Sequence, residues 1–436
     1  MANDFANDCA LAYAPPPALG QNLLPSLTFV ALLLLVFVGL DAFSPPPLVL
    51  QVGSVQAASH GDALRQFAYL SVAGLITLAA VQRFGMGALR ALPVSMGLLL
   101  AWCLASALWA PQTDIVLRRA GLEVVVVVSL MLSVETIGTT RALVLWRWLL
   151  AAVLVVNFIA IALIPAARHV AGEIDPALVG NWRGLYGHKN VAGAVCAITA
   201  ILFLFSKNGW RNWMGIVIAL AACFFLVMTH SKTSAGFLCI ALAAGLMYRA
   251  GWRDSLSRAI VLAIGALLTV ILAAVALLDA DQLAHALQDP TEFTGRAAIW
   301  AAELRYIADH PLLGAGFGTL TDMRSQSPLH NYVSGSWVTA VSHGHNGYLQ
   351  VLVTIGGVGF VLALLALLAA PARRFWTLDL KGDAIKPMLF ALFVFAIAHN
   401  FMESDFLESD STVWASLLLV IAALNADARR HSLTSR

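Results

Sequence analysis

Residues 341–370 read VSHGHNGYLQVLVTIGGVGFVLALLALLAA, and this stretch decides the fold. From Gly347 onward it is long and apolar enough to cross a bilayer, for which a helix needs about 20 residues. At its lip stand His343, His345 and Asn346, polar side chains that cost free energy at such a depth unless they are hydrated or partnered. The stretch therefore reads as a membrane helix with chemistry at its mouth. The whole chain agrees with it: of 436 residues 60% are apolar and only 11% charged, and the mean hydropathy is +0.82. A soluble domain carries about 25% charged residues, so that class is excluded.

Working outward, the apolar runs predict about twelve spans, near 23–41, 63–82, 90–110, 115–137, 143–165, 189–206, 212–229, 233–249, 258–278, 346–370, 387–402 and 411–426. The fold class is all-α, a polytopic membrane protein. It divides into spans one to nine (1–278), a long helical loop (279–345), and spans ten to twelve with a cytoplasmic tail (346–436). The first twenty residues lack a basic start, so the first span is expected to be a retained anchor. Cys9, Cys103, Cys196, Cys223 and Cys239 show no disulfide or zinc spacing and read as small core residues.

Alternating the connections from a cytoplasmic N-terminus puts sixteen of the 26 Lys and Arg on the inner side, among them Arg83, Arg141, Arg147, Arg249, Arg374, Lys386, Arg429 and Arg430. The positive-inside rule then places both termini in the cytoplasm. Basic residues left on the outer side work against that signal. Arg168, Arg183, Lys189, Lys232, Arg296, Arg305 and Arg324 are thus candidates for another use, with snorkelling to headgroups or pairing with outer carboxylates the plainer alternative.

Three outer segments concentrate polar chemistry. NWRGLYGHKNVAGAVCA (181–197) packs Arg183, His188, Lys189 and Asn190 between glycines, and THSKTSAGF (229–237) is a short turn around Lys232. In the long connection, GRAAIWAAELRYIADHP sets Ile299, Trp300, Leu304 and Ile307 at roughly helical spacing, predicting an amphipathic helix on the membrane surface that starts near Arg296 and stops at Asp309-His310-Pro311. PLLGAGFG lacks the lysine of a phosphate-binding loop and follows no strand, so nucleotide binding is excluded. His343 and His345 do not have the spacing of a helical metal pair. A second HN pair precedes the acidic run Glu403, Asp405, Glu408 and Asp410, readable as a cation or acid-base site or as a hydrated loop balancing arginines.

The ordered motifs RGLYGHKN, HSKTSAG, GRAAIW with ADHPLLGAGFG, and HGHNGYLQVLVTIGGVG resemble the superfamily of bacterial O-antigen ligases and polysaccharide polymerases, the GHKN element looking most like the exopolysaccharide polymerases. The resemblance implies a GT-C-like glycosyltransferase of the bacterial inner membrane with its active site facing the periplasm. It implies an undecaprenyl-pyrophosphate-linked glycan as donor, and a sugar hydroxyl on a polysaccharide repeat or on lipid A-core as acceptor. It also implies inversion at the anomeric carbon, no metal and no cofactor. Carried over to this chain, His345 and Arg296 are catalytic, and the basic residue of the HSKTSAG turn is Lys232, a lysine where the ligases often have arginine. Pyrophosphate departure without a metal needs fixed cations, for which Arg296, Lys232 and Arg183 are available. His345 suits the base that takes the acceptor's proton. His188, Lys189, Asn190, Asn346, Tyr348 and Trp300 are expected to contact substrate. The bilayer and a chain-length regulator or export complex complete the expected partners, and no nucleic acid is expected. A transporter of lipid-linked sugars or small solutes is the alternative from another class, against which stand the lack of a convincing internal repeat and the clustering of ionisable residues at one rim.

Overall fold

The computed structural model describes residues 23–43, 63–171, 173, 178–205, 213–251, 296–320, 327–332, 344–377 and 385–434. Among these the regular structure is helical, with one isolated β-bridge between Arg168 and Trp182. The helices are α1 (Leu23–Phe37), α2 (Ala63–Phe84), α3 (Val94–Ala105), α4 (Thr113–Ile137), α5 (Thr139–Leu163), α6 (Lys189–Leu204), α7 (Trp213–Thr229), α8 (Lys232–Gly251), α9 (Arg296–Asp309), α10 (Gly347–Ala363), α11 (Ala370–Thr377), α12 (Ile385–His399) and α13 (Thr412–Thr434). A π-helical turn, Leu364–Ala369, joins α10 to α11.

Among the described residues six stretches are long and apolar enough to cross a membrane: Ala63–Ala91, Thr113–Ile137, Thr139–Leu163, Lys232–Ala250, Gly347–Thr377 and Thr412–Arg430. Leu23–Phe37, Val94–Leu108, Lys189–Leu204, Trp213–Thr229 and Ile385–His399 are shorter apolar helices. Each lies where the sequence places a span. The expected span at 258–278, and His343, lie outside the described residues.

The centre of the bundle is built on small side chains. α6 is buried from Ala192 to Phe203 and packs against α7, α8 and α13. Its alanines and Gly193 let neighbours approach closely, as membrane helices require when dispersion rather than hydrophobicity drives their contact. A Cβ on Gly193 would come within 2.7 Å of Ser231 Cβ.

α10 is broken. Gly356 sits at φ 67°, ψ −175°, about 14 Å along the helix from Gly347. In lipid, backbone groups freed by such a break need partners. The glycine-rich segment after α9 provides them: Ala315 and Gly316 donate to the carbonyls of Val353 and Thr354 at 2.8 Å, and Gly357 and Val358 donate to Pro311 and Leu312 at 2.8 and 3.3 Å. Trp102 Nε1 donates to Ile355 at 3.0 Å. Gly314 and Gly316, both at positive φ, make room, since a Cβ on Gly314 would lie 2.6 Å from Gly356 N.

This anchorage seats α9 against α10. The ends predicted for α9 hold, and its predicted face holds in part, with Ile299 buried and Ile307 packed beside Ala302 and Tyr306. Leu304, expected on the apolar side, is exposed, whereas Ala297, Ile299, Ala302, Glu303 and Tyr306 are buried. Packing against α10 brings Ala302, Glu303 and Tyr306 inward and leaves Leu304 outside.

Candidate active site at one end of the bundle

The starts of α6, α8, α9 and α10 converge on the loop between α12 and α13, and Glu403 is the junction. Its Oε1 accepts from Arg296 Nη2 at 2.8 Å and from Asn190 Nδ2 at 2.7 Å, and its Oε2 lies 3.2 Å from His345 Nδ1. Arg296 Nη1 also donates to the Met402 carbonyl. Burial alone would raise the Glu403 carboxyl, but the hydrogen bond from His345 and the charge of Arg296 outweigh it and bring it down to about 2. A carboxylate fixed in this way is charged at neutral pH, so it accepts from His345 Nδ1–H and leaves Nε2 as the basic nitrogen.

The turn carrying His345 is held on three sides. His345 is at φ 51°, in the left-handed region that non-glycine residues rarely adopt. Asn346 caps α10, its Oδ1 accepting from Tyr348 N and Leu349 N at 3.0 and 3.1 Å. Gly347 N reaches the carbonyls of Asn400 and Glu403 at 2.8 and 3.0 Å, so the two HN segments dock on each other. Trp300 Nε1 donates to the Gly344 carbonyl at 3.1 Å.

His188 caps α6 and differs from His345. Its Nδ1 accepts from Asn190 N at 3.2 Å, which leaves the proton on Nε2. Burial lowers its pKa to about 4 against the pull of Glu403, so the ring stays neutral. The ring nitrogen left over on His188 is thus a donor, whereas the one left over on His345 is an acceptor. Lys189 Nζ donates to the His230 carbonyl at 3.2 Å, tying the GHKN segment to the turn that begins α8. Lys232 is the exposed first residue of α8. Two residues later Ser234 Oγ meets His399 Nε2 at 3.2 Å, while His399 Nδ1 meets Asp405 at 2.7 Å.

Two expected substrate contacts are occupied within the fold. Arg183 is 1% exposed and donates to the carbonyls of Ala166 and Gly187 at 2.8 and 3.2 Å. It shapes the loop before α6, where Gly184, at φ +60°, leaves room for Asn157. Tyr348 donates to Ile397 O at 2.9 Å and packs on Phe401 and Phe406.

The acidic run is not one site. Glu403 serves Arg296 and His345, Asp405 serves His399, Glu408 accepts from Gln350 Nε2 at 2.5 Å, and Asp410 pairs with Arg65 at 3.0 Å. No group of three His, Cys, Asp or Glu is placed to hold a metal among the described residues. The sequence places Glu403 in an acidic lip but does not separate it from its neighbours.

Fold and site together define a helical membrane protein with cationic and imidazole groups gathered on a half-buried carboxylate at one end of its bundle. Within that class, the family model described as O-antigen ligase matches residues 216–364, which supports the O-antigen ligase and polymerase superfamily. The matched segment contains the HSKTSAG, GRAAIW, PLLGAGFG and HGHNG motifs and leaves RGLYGHKN outside it. No curated protein matches the chain.

Proposed function

We propose that this protein is a membrane glycosyltransferase that moves a glycan from undecaprenyl pyrophosphate to a sugar hydroxyl on the periplasmic side, as a polysaccharide polymerase or an O-antigen ligase. The observation that carries this reading is Glu403 bridging Arg296 and His345. It matches a base oriented by a carboxylate beside a fixed cation, as nucleophilic displacement requires.

In the proposed step the acceptor oxygen forms a bond to the anomeric carbon while the bond from that carbon to the phosphate oxygen breaks, with inversion. The acceptor proton passes to His345 Nε2. The bond's electron pair leaves with undecaprenyl pyrophosphate, whose added charge is met by Arg296, Lys232 and Lys189. His188 Nε2–H donates to a substrate oxygen. Arg183 supports the loop that presents His188 and Lys189, without itself meeting phosphate.

The test is reconstitution with the lipid-linked glycan isolated from producing cells. Product growing by whole repeat units identifies a polymerase, and transfer to added lipid A-core identifies a ligase. Absence of both, with the protein folded, would refute glycosyl transfer.

A further inference from the structure

Glu303 lies on α9 seven residues after Arg296 and three after Trp300, a spacing that puts all three on one helical face. Arg296 reaches Glu403 and Trp300 reaches the Gly344 carbonyl. The Glu303 carboxyl lies against the same glycine: a Cβ on Gly344 would come within 2.1 Å of Glu303 Oε1. The residue is 0% exposed, and neither carboxyl oxygen has a hydrogen-bond partner among the described residues. Glu123, equally buried, has both oxygens met, by Trp414 Nε1 at 2.7 Å and Ser409 Oγ at 2.8 Å. An unmet buried polar group destabilises a fold, and an apolar side chain of similar shape would not. Glu303 is therefore an expense to the fold that packing alone does not explain, and it stands next to the base.

We propose that Glu303 is a further substrate-binding residue, its carboxyl group taking a hydroxyl of the glycan as the Gly344–Asn346 turn shifts to admit it. The proposal rests on the glycosyl-transfer reading above. Burial holds the carboxyl well above its ordinary pKa, so the group is a neutral acid that both donates and accepts, as a sugar hydroxyl does. His345, at φ 51°, is the strained residue of the turn that must move. Trp300, beside Gly344, offers a flat surface to the sugar ring.

The test is equilibrium binding to the His345→Ala protein, whose turnover is expected to be slowed about 10²- to 10⁴-fold, using two probes: the lipid-linked glycan from producing cells, and undecaprenyl pyrophosphate bearing no sugar. Adding Glu303→Leu is expected to weaken binding of the glycan-bearing lipid about tenfold, the loss of one hydrogen bond. Affinity for the bare lipid pyrophosphate and the melting temperature should not fall. Glu303→Gln, which keeps a donor and an acceptor, should stay within about threefold of Glu303. Equal weakening for both lipids, no weakening for either, or weakening accompanied by a lower melting temperature would each overturn the assignment. If neither lipid binds with Glu303 intact, the glycosyl-transfer reading falls and the proposal with it.

Discussion

His345 and Glu403 act as a pair, and the pair makes predictions that neither residue makes alone. Replacing His345 with alanine removes the proposed base and should lower turnover about 10²- to 10⁴-fold, measured as product from lipid-linked donor, while the protein remains inserted and folded. Glu403→Gln keeps the shape but frees the imidazole to take the other tautomer and leaves Arg296 without its counter-charge. Turnover should fall by a comparable factor, and wild-type rates in this variant would remove Glu403 from the mechanism. The same carboxylate ties stability to pH. Its folded pKa, about 2, lies below the ordinary 4.5, so the stabilisation is fully present above about pH 4.5 and is lost as pH falls toward 2. The shift corresponds to roughly 3 kcal/mol. Denaturant titrations of wild type and Glu403→Gln should therefore differ at pH 7, and the gap should shrink below pH 4.5 and close as pH falls to about 2; a constant gap would show that the carboxylate is not held down in this way.

Between residues and bundle, the decisive element is the pairing of α10 with the segment that follows α9. It sets where α9 lies, and through Arg296 and Trp300 it sets where the His345 turn lies. Gly314→Ala should disturb it directly. The new Cβ would come within 2.6 Å of Gly356 N in a residue at φ 70°, so a loss of about 2 kcal/mol or more is expected in a detergent unfolding titration, together with reduced turnover. Stability equal to wild type would mean that the break is held by other contacts. The limits of sequence reading are clearest here. The spans and the ends of α9 are legible, because hydropathy, Arg296 and Pro311 are local signals. That PLLGAGFG completes a broken helix some forty residues away is not legible, since backbone hydrogen bonds between distant segments leave no periodic trace. His345, Arg296 and Asn190, which the fold brings together on Glu403, are readable as candidate site residues from their motifs. Glu403 is hidden among four carboxylates of the same appearance, and Glu303 is hidden by an apolar stripe drawn through Leu304 instead.

Across the whole molecule, the charges sort to two ends of the bundle. At one end lie Arg296, Lys189, Lys232 and Glu403. At the other, Arg83 donates to the Thr136 carbonyl at 2.7 Å, Arg429 pairs with Glu135, Thr139 donates to Asp427 at 3.2 Å, and Arg147 approaches Met388 at 4.0 Å. These contacts join the end of α2, the α4–α5 turn, the start of α12 and the end of α13. Most of the residues the positive-inside rule assigns to the cytoplasm and that are described here therefore share an end, opposite the site. We propose that the site end faces the periplasm, where the lipid-linked donor would be used. Single cysteines placed in a background lacking the five native ones test this. Lys232→Cys and Arg305→Cys, both at exposed positions, should react with a membrane-impermeant maleimide added to intact spheroplasts. Arg374→Cys, exposed on α11, should react only after the membrane is opened. The reverse pattern would put the His345–Glu403 pair on the cytoplasmic side, away from a periplasmic acceptor, and the proposed reaction would fail however well the residues are arranged.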